Sequence, residues 1–239
     1  MPATATEREE DLAAVPYLPA MIERIVTASG IPHDRAIRIL ELAAGGGHLA
    51  EALLRQFTNA EATLLEPDAD LRAAAHERLA PFADRSQIAA ADFANADLPR
   101  GFDLVVSLFG FHGVDDIPRR AAYRAIYSAL LPNGVMLIGD SVRGPTESLQ
   151  AIYREVWRRD AEREGIAADM LARAEARFGS GRGMLLTNEQ AWLMNIGYRD
   201  IEVRYKNLGF AVFGGRRPVA SDFTVAEDGT ASLRRRPGR

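Results

Sequence analysis

Residues 37–57, IRILELAAGGGHLAEALLRQF, decide the fold that we predict for this chain. An apolar run ends at Glu41-Leu42, the small residues 43–47 follow, and an amphipathic helix with leucines at helical spacing completes the stretch. Small residues let a backbone approach a ligand closely, and the first turn of a helix presents free N–H groups at its positive dipole end. The stretch therefore predicts a strand, a glycine turn and a helix, with a small polar ligand at the turn.

The glycine turn alone leaves the ligand open. Residues 45–50, GGGHLA, fit the dinucleotide pattern G-x-G-x-x-G/A, whereas residues 41–47, ELAAGGG, are similar to the E/D-x-G-x-G-x-G loop of S-adenosylmethionine (SAM) enzymes. The next apolar run ends at Glu66, 21 positions after Gly45, where a carboxylate can accept both hydroxyls of a bound ribose. A ligand-free packing turn and an ordinary acid at a strand end are the alternatives.

Composition limits the classes of function. The 239 residues carry a formal net charge of -4, which argues against a general nucleic-acid binder and favours a small-molecule substrate. The chain has no cysteine and its four histidines are widely spaced, so we expect no metal site. The N-terminus is polar, and no apolar run approaches the roughly 20 residues of a membrane helix. We expect a cytoplasmic protein without membrane contact; a homodimer is compatible with the sequence.

The order of elements predicts an α/β fold with a doubly wound, mostly parallel sheet. Five strand-like runs alternate with helical segments up to residue 139, and two alternating runs then flank residues 206–209 as an antiparallel hairpin. A dinucleotide-binding fold would repeat βαβ units at that point, so the hairpin favours the SAM alternative. We expect one domain at residues 15–217, with a helical lid or substrate segment at 145–185, a flexible N-terminus at 1–14 and a flexible basic tail at 218–239.

Two polar residues follow neighbouring strands and are candidate catalytic groups. His112 comes after the fourth strand and Asp140 ends the fifth, at the sheet edge where open α/β sheets bind ligands. A histidine suits general base catalysis because its ordinary pKa is about 6.5. The alternatives are backbone hydrogen bonding by His112 and capping of the next segment by Asp140. Candidate substrate-binding residues, which core packing could equally explain, are Phe111, His112, Tyr153, Trp157 and Tyr205.

Seven stretches in order resemble the class I, Rossmann-like, seven-stranded family of SAM-dependent methyltransferases, in its small-molecule branch. The resemblance covers about residues 15–217. The matching stretches are VPYLPAMIERI, ILELAAGGGHLAEALL, ATLLEPDADL, ADFANADL, FDLVVSLFGFHGVDD, YSALLPNGVMLIGDSVRGP and WLMNIGYRDIEVRYKNLGFAVFGGRR.

The resemblance implies SAM as cofactor, S-adenosylhomocysteine as product, and methyl transfer to an O or N atom, less readily C, of a small metabolite. Alternatives are another outcome on SAM, such as cyclisation that releases methylthioadenosine or transfer of a non-methyl group, and non-catalytic SAM binding. Ala43 stands where the family has a glycine, which leaves a modified cofactor open. The implied cofactor-binding residues are Tyr17, Glu41, Ala43, Ala44, Gly45, Gly47, Glu66, Pro67, Asp92, Phe93, Ser107 and Leu108.

Overall fold

A single seven-stranded sheet organises the chain. The computed structural model describes residues 4–94, 97–179, 183–219, 223–225 and 231–233. The strands of the sheet are β1 Ile37–Leu42, β2 Ala60–Leu65, β3 Ser86–Ala89, β4 Phe102–Leu108, β5 Leu130–Ser141, β6 Arg199–Asn207 and β7 Phe210–Arg216. The helices are α1 Ala5–Ala13, α2 Leu18–Thr27, α3 His48–Gln56, α4 Ala69–Arg78, α5 Asp116–Ala129, α6 Glu147–Arg163, α7 Ala168–Phe178 and α8 Leu186–Ile196.

The strand order is β3-β2-β1-β4-β5-β7-β6. The strands from β3 to β5 pair in parallel, and β7 pairs antiparallel with both β5 and β6. This arrangement confirms the predicted doubly wound, Rossmann-like fold with its C-terminal antiparallel hairpin. The parallel order brings the carboxyl ends of β1, β2 and β4 to one edge.

Helices cover both faces of the sheet, as continuous apolar strands require. Side chains alternate across a strand, so the neighbours Leu104 and Val105 of β4 belong to two separate core clusters. One cluster includes buried residues of α2, α3, α6 and α7, and the other those of α5 and α8. Within the described ranges, no helix combines the length and apolar character needed to cross a membrane.

The turn between β1 and α3 depends on the glycine that caps the helix. Gly47 is the N-cap of α3 and has a φ of 80°, a left-handed conformation that favours glycine. A Cβ at this position would also lie 3.3 Å from the Cβ of Ala75 on α4. Ala43, at the start of the turn, has a φ of 52° although it is not a glycine. A glycine would adopt this conformation with less strain than the alanine.

The N-terminal segment differs from the prediction of a flexible 1–14. Thr4 and Glu7 form a capping box at the start of α1. The acidic Asp11 at the end of α1 lies 3.4 Å from Arg173 and 3.5 Å from Arg177 on α7. The sequence prediction missed this helix because the arginines that hold it come more than 160 positions later.

Two short strands lie within residues 218–239, the segment that the sequence predicts to be a flexible tail. Phe223–Val225 and Ala231–Leu233 form strands β8 and β9, which pair antiparallel with Phe223 opposite Leu233. The segment Phe-Thr-Val has residue types that favour strands. Residues 220–222, 226–230 and 234–239 of the predicted tail lie outside the described residues.

The predicted lid, residues 145–185, contains α6 and α7. Its residues 180–182 also lie outside the described residues.

We expect Gly214→Ala to destabilise the protein by about 3 kcal/mol or more, because overpacking against backbone has no cheap relief. A Cβ at Gly214 would lie 1.8 Å from the carbonyl oxygen of Met136, within the β5–β7 pairing. Urea unfolding measures the effect. Gly113→Ala is the matched control, since nothing lies within 4 Å of a Cβ there. Equal stability of the two variants would contradict the close approach of β5 and β7.

Candidate functional site

A cavity of about 300 Å³ lies at the carboxyl edge of β1, β2 and β4. Its floor comes from the loops that follow these strands, and its cover comes from α1 and the end of α7. The lining residues are Arg8, Glu9, Leu12, Ala43, Gly45, Gly46, Glu66, Pro67, Leu71, Asp92, Phe93, Leu108, Phe109, Gly110, His112, Gly113, Arg177 and Phe178. The cavity therefore lies where parallel α/β sheets bind ligands.

The predicted cofactor residues divide into two groups. Those that line the cavity are Ala43, Gly45, Glu66, Pro67, Asp92, Phe93 and Leu108. Those that do not are Tyr17, Glu41, Ala44, Gly47 and Ser107. Tyr17 instead donates a 2.6 Å hydrogen bond to Asp160 of α6, and the buried Ser107 hydroxyl donates to the carbonyl of Leu42.

Glu66 ties the glycine turn to the end of β2. Its Oε2 accepts a 2.8 Å hydrogen bond from the backbone N–H of Gly45, and its Oε1 accepts from the N–H of Asp68 at 3.0 Å. The N–H of Ala44 donates to the carbonyl of Leu65 as well. The acid predicted from its spacing to Gly45 therefore lies against that glycine, with its carboxylate at the cavity.

Glu41 is a buried acid with an unmet hydrogen-bonding capacity. Only 1% of the residue is exposed, and burial raises its pKa to about 8; the charge of Glu66 adds to the shift, while a backbone hydrogen bond from Ala50 opposes it. Among the described residues, its Oε2 has no hydrogen-bond partner. Buried polar atoms are normally paired, so this oxygen can accept a donor that the polypeptide does not supply.

Asp140 fixes the loop that follows β4. The carboxylate is fully buried and accepts backbone N–H groups from Phe111 at 2.7 Å, His112 at 3.1 Å and Ser141 at 2.7 Å. Its Oδ1 lies 3.5 Å from Nδ1 of His112. Asp140 does not line the cavity, whereas His112 does. Of the two predicted catalytic residues, His112 can reach a ligand in the cavity, and Asp140 can orient the His112 side chain.

The structure does not bring the predicted substrate-binding aromatic residues to this cavity. Phe111 is fully buried against the rings of Phe93, at 4.7 Å, and Tyr123, at 5.5 Å, and does not line the cavity. Tyr153 and Trp157 line a separate pocket of about 20 Å³, which Phe178 also lines.

Tyr205, the remaining aromatic candidate, is partly buried against the core cluster of α2 and α3, and burial raises its pKa. Trp157 has a structural contact, because its indole N–H donates to the carbonyl of Ala14 at 3.0 Å. Sequence spacing places these side chains on one face of an element. It does not show whether that face meets the core or a cavity.

The sequence prediction missed the cover of the cavity. Glu9 of α1 lies over the glycine turn, with its Oε1 3.2 Å from Nε2 of His48, and a Cβ on Gly46 would lie 1.9 Å from the same oxygen. At the other side, the ring of Phe178 lies 4.8 Å from that of Phe109. Opposite charges at residues 7–11 and at the arginines of α7 were the available signal.

Comparison with known proteins supports the same reading of the fold. Residues 39–134 match the family model described as a methyltransferase domain. A solved structure titled as an O-methyltransferase family protein from Burkholderia thailandensis superposes with a TM-score of 0.66 at 15% identity, covering 90% of this chain and 60% of that one. At an identity this low, the superposition shows a shared fold and nothing more.

Two curated relatives match parts of the chain. Ribosomal RNA small subunit methyltransferase H of Synechococcus sp. (strain CC9902) is 37% identical over 95 residues, which are 39% of this chain and 32% of the relative. Carboxy-S-adenosyl-L-methionine synthase of Campylobacter hominis is 26% identical over 126 residues, covering 51% of this chain and 52% of the relative. The chain thus spans about a third to a half of the lengths of these relatives.

We expect Glu41→Gln to flatten the pH dependence of stability. The pKa of Glu41 is about 8 in the folded protein against a reference of 4.5, so between these values the folded state holds a proton that the unfolded state has lost. The unfolding free energy therefore falls as pH rises through this range, by at most about 1.4 kcal/mol per pH unit for one group. Urea unfolding at about pH 5 and pH 8 measures the slope.

The matched control for this experiment is Glu61→Gln, at an exposed position of β2. An unchanged slope in Glu41→Gln would show that the carboxyl does not stay protonated in the folded state. The attribution of a raised pKa to the burial of Glu41 would then be wrong.

Proposed function

We propose, starting from the match of residues 39–134 to the methyltransferase-domain model, that the protein is a class I methyltransferase and binds SAM at the carboxyl edge of the sheet. It then transfers the methyl group to an O or N atom of a small metabolite. The observation that supports this most directly is the joint position of two groups at one cavity. Glu66, which is hydrogen-bonded to the glycine turn, and His112 both line this cavity. A cofactor-binding acid and a candidate base therefore face the same space.

The residues present fit this cofactor. A Cβ at Gly45 would meet nothing within 4 Å, so the turn leaves open space beside the Glu66 carboxylate, which can accept the ribose hydroxyls. Glu41 does not line the cavity, so in this proposal its unpaired Oε2 acts from behind the turn at residues 43–45, at the methionine end. Asp92 and Phe93 suit the adenine, and Leu108 contacts the cofactor from the β4 side. When bound, SAM supplies a methyl group on a sulfonium, an excellent leaving group.

The remaining predicted cofactor residues have supporting roles in this proposal. Ala44 and Gly47 shape the turn through the hydrogen bond to Leu65 and the left-handed cap of α3. Ser107 holds the end of β1 through its bond to Leu42, and Tyr17 anchors the start of α2 to α6. None of the four needs to touch the cofactor to affect its binding.

His112 is the proposed general base for an acceptor hydroxyl or protonated amine. Asp140 faces its Nδ1, which leaves Nε2 to accept the proton of the acceptor, and the carboxylate stabilises the imidazolium that forms. Asp140 is a positioning residue because its three backbone hydrogen bonds fix the loop that carries His112.

The cover formed by α1 and α7 excludes water from the reaction. Leu12 and Phe178 contribute apolar surface to the lining, and Phe178 packs edge-on against the His112 ring at 5.0 Å. Methyl transfer from a sulfonium is an in-line displacement, so approach geometry and a dry site are the main tasks of the protein. Both tasks depend on α1 and α7 lying over the cavity.

We expect Glu66→Gln to weaken binding of S-adenosylhomocysteine by about 10- to 100-fold, because it removes a charged acceptor for two hydroxyls. Isothermal titration calorimetry measures the affinity, and Glu61→Gln on β2, the strand that Glu66 directly follows, is the control. A Glu66→Gln protein that binds with wild-type affinity contradicts the assignment of the ribose site.

We expect His112→Gln to lower turnover by about 100-fold or more, with S-adenosylhomocysteine affinity within about threefold of wild type. The assay follows label from methyl-labelled SAM across a panel of phenols and amines and identifies the nucleoside product. His76→Gln, on the exposed side of α4, is the control.

Equal turnover of His112→Gln and wild type would show that His112 is not the general base. S-adenosylhomocysteine as product accompanies methyl transfer, whereas methylthioadenosine would mean attack on the aminobutyl chain. Binding of SAM without product on any acceptor would mean a non-catalytic protein.

A further inference from the structure

Arg177, the penultimate residue of α7, presents a loosely paired cation to the cavity. It lines the cavity, and its Nη1 lies 3.5 Å from Asp11, a carboxylate that Arg173 also approaches at 3.4 Å. Arg173, one turn earlier, has additional partners in Glu10 and Asp169 and does not line the cavity. The two arginines therefore share a carboxylate but face different surroundings.

The other charged groups of the cavity are already engaged. Glu9 lies within 3.5 Å of both His48 and Arg78, and Glu66 accepts two backbone N–H groups. Asp92 accepts the N–H of Ala94, and the second cation, Arg8, lies 3.2 Å from Asp68. Neither Glu9 nor Glu66 lies within ion-pair distance of Arg177, whose ion pair is the one with Asp11.

Burial acts against the charge of Arg177. It lowers the pKa of the guanidinium, the like charge of Arg8 lowers it further, and Asp11 and Glu66 oppose these effects. A partly desolvated cation is stabilised when an anion pairs with it inside the site. A sulfonium cofactor adds positive charge to the same cavity, so it increases the need for an anionic group.

The ring of Phe178 lies close to both Arg177 and His112. The guanidinium carbon is 5.6 Å from the ring centroid of Phe178, and that ring is 5.0 Å from the ring of His112. Phe178 and Phe109, 4.8 Å apart, supply an apolar surface between the two polar groups. A ligand whose reacting atom meets His112 can thus place an anionic substituent on Arg177.

We propose that Arg177 selects a methyl acceptor that carries an oxyanion, a carboxylate or a phosphate, on an apolar or aromatic body. The inference rests on the proposed function, because the acceptor position is defined by His112. A guanidinium matches such groups with two parallel hydrogen bonds, which gives orientation as well as affinity. The methyl group leaves the sulfonium for the acceptor atom, and the oxyanion only anchors the molecule.

The test compares charged and neutral probes on the complex with S-adenosylhomocysteine. Calorimetry at constant ionic strength measures phenylacetate against phenylacetamide, and phenyl phosphate against phenol. The wild-type complex should bind at least one acid about tenfold or more tightly than its neutral partner. Arg177→Gln should reduce this preference to less than about threefold, and Arg177→Lys should restore part of it.

Arg173→Gln is the matched control, since it perturbs the same Asp11 but not the cavity lining. It should keep the preference for acids. Equal loss in both variants would mean that the effect comes from the packing of α7 on α1, and the proposal would be wrong. The proposal is also wrong if no acid binds, or if each acid binds no better than its neutral partner.

A second comparison separates the acceptor from the cofactor. Arg177→Gln should bind S-adenosylhomocysteine and methylthioadenosine with wild-type affinities. Weaker binding of S-adenosylhomocysteine alone would assign Arg177 to the carboxylate of the cofactor, because methylthioadenosine lacks it, and would overturn the proposal. Failure of the wild type to bind S-adenosylhomocysteine removes the proposed function itself, whereas normal binding without acid preference overturns this inference alone.

Discussion

The buried carboxylate of Asp140 is the interaction on which the candidate site depends. Its charge is desolvated at the end of β5, and the three backbone N–H groups that it accepts offset that cost. Two of these donors belong to the loop after β4, so one side chain fixes Phe111 into the core and His112 at the cavity. Because β5 lies beside β4 in the sheet order, the fold itself supplies this contact.

The second constraint comes from the cover formed by α1 and α7. Glu9 lies over the glycine turn and Asp11 pairs with the arginines of α7, so the two ends of the cover meet through ion pairs. Surface ion pairs add little stability each, but several charges in one network hold a geometry better than an isolated pair. The cover therefore joins the cofactor end of the cavity to the surface where we place the acceptor.

Much of the fold followed from local sequence patterns. The apolar run of β4 was predicted with its observed limits, and the spacing of Glu66 from Gly45 matched their contact across adjacent strands. These predictions succeeded because strand order in a βαβ unit makes near neighbours in sequence into neighbours in space. The antiparallel β6–β7 pair was recognisable from its alternation for the same reason.

The cover and the acceptor surface were less accessible to sequence reasoning. Helical spacing grouped Tyr153 with Trp157, but it did not show that their face meets a small pocket behind Phe178. Arg177 looked like one charge among many on a mixed helix, and only its packing against α1 gives it a place in the cavity. The contact between Arg177 and Asp11 joins residues more than a hundred positions apart, which periodicity does not encode.

The most direct test of the central claim is a thermal-shift comparison of SAM, S-adenosylhomocysteine, methylthioadenosine, NAD and NADP. A ligand at about 100 times its dissociation constant adds about 2.7 kcal/mol of stability, which for a domain of this size raises the melting temperature by roughly 5–11 °C. The account predicts such a rise with SAM and S-adenosylhomocysteine and none with NAD or NADP. Stabilisation by a nicotinamide dinucleotide alone would contradict the assignment of the cavity.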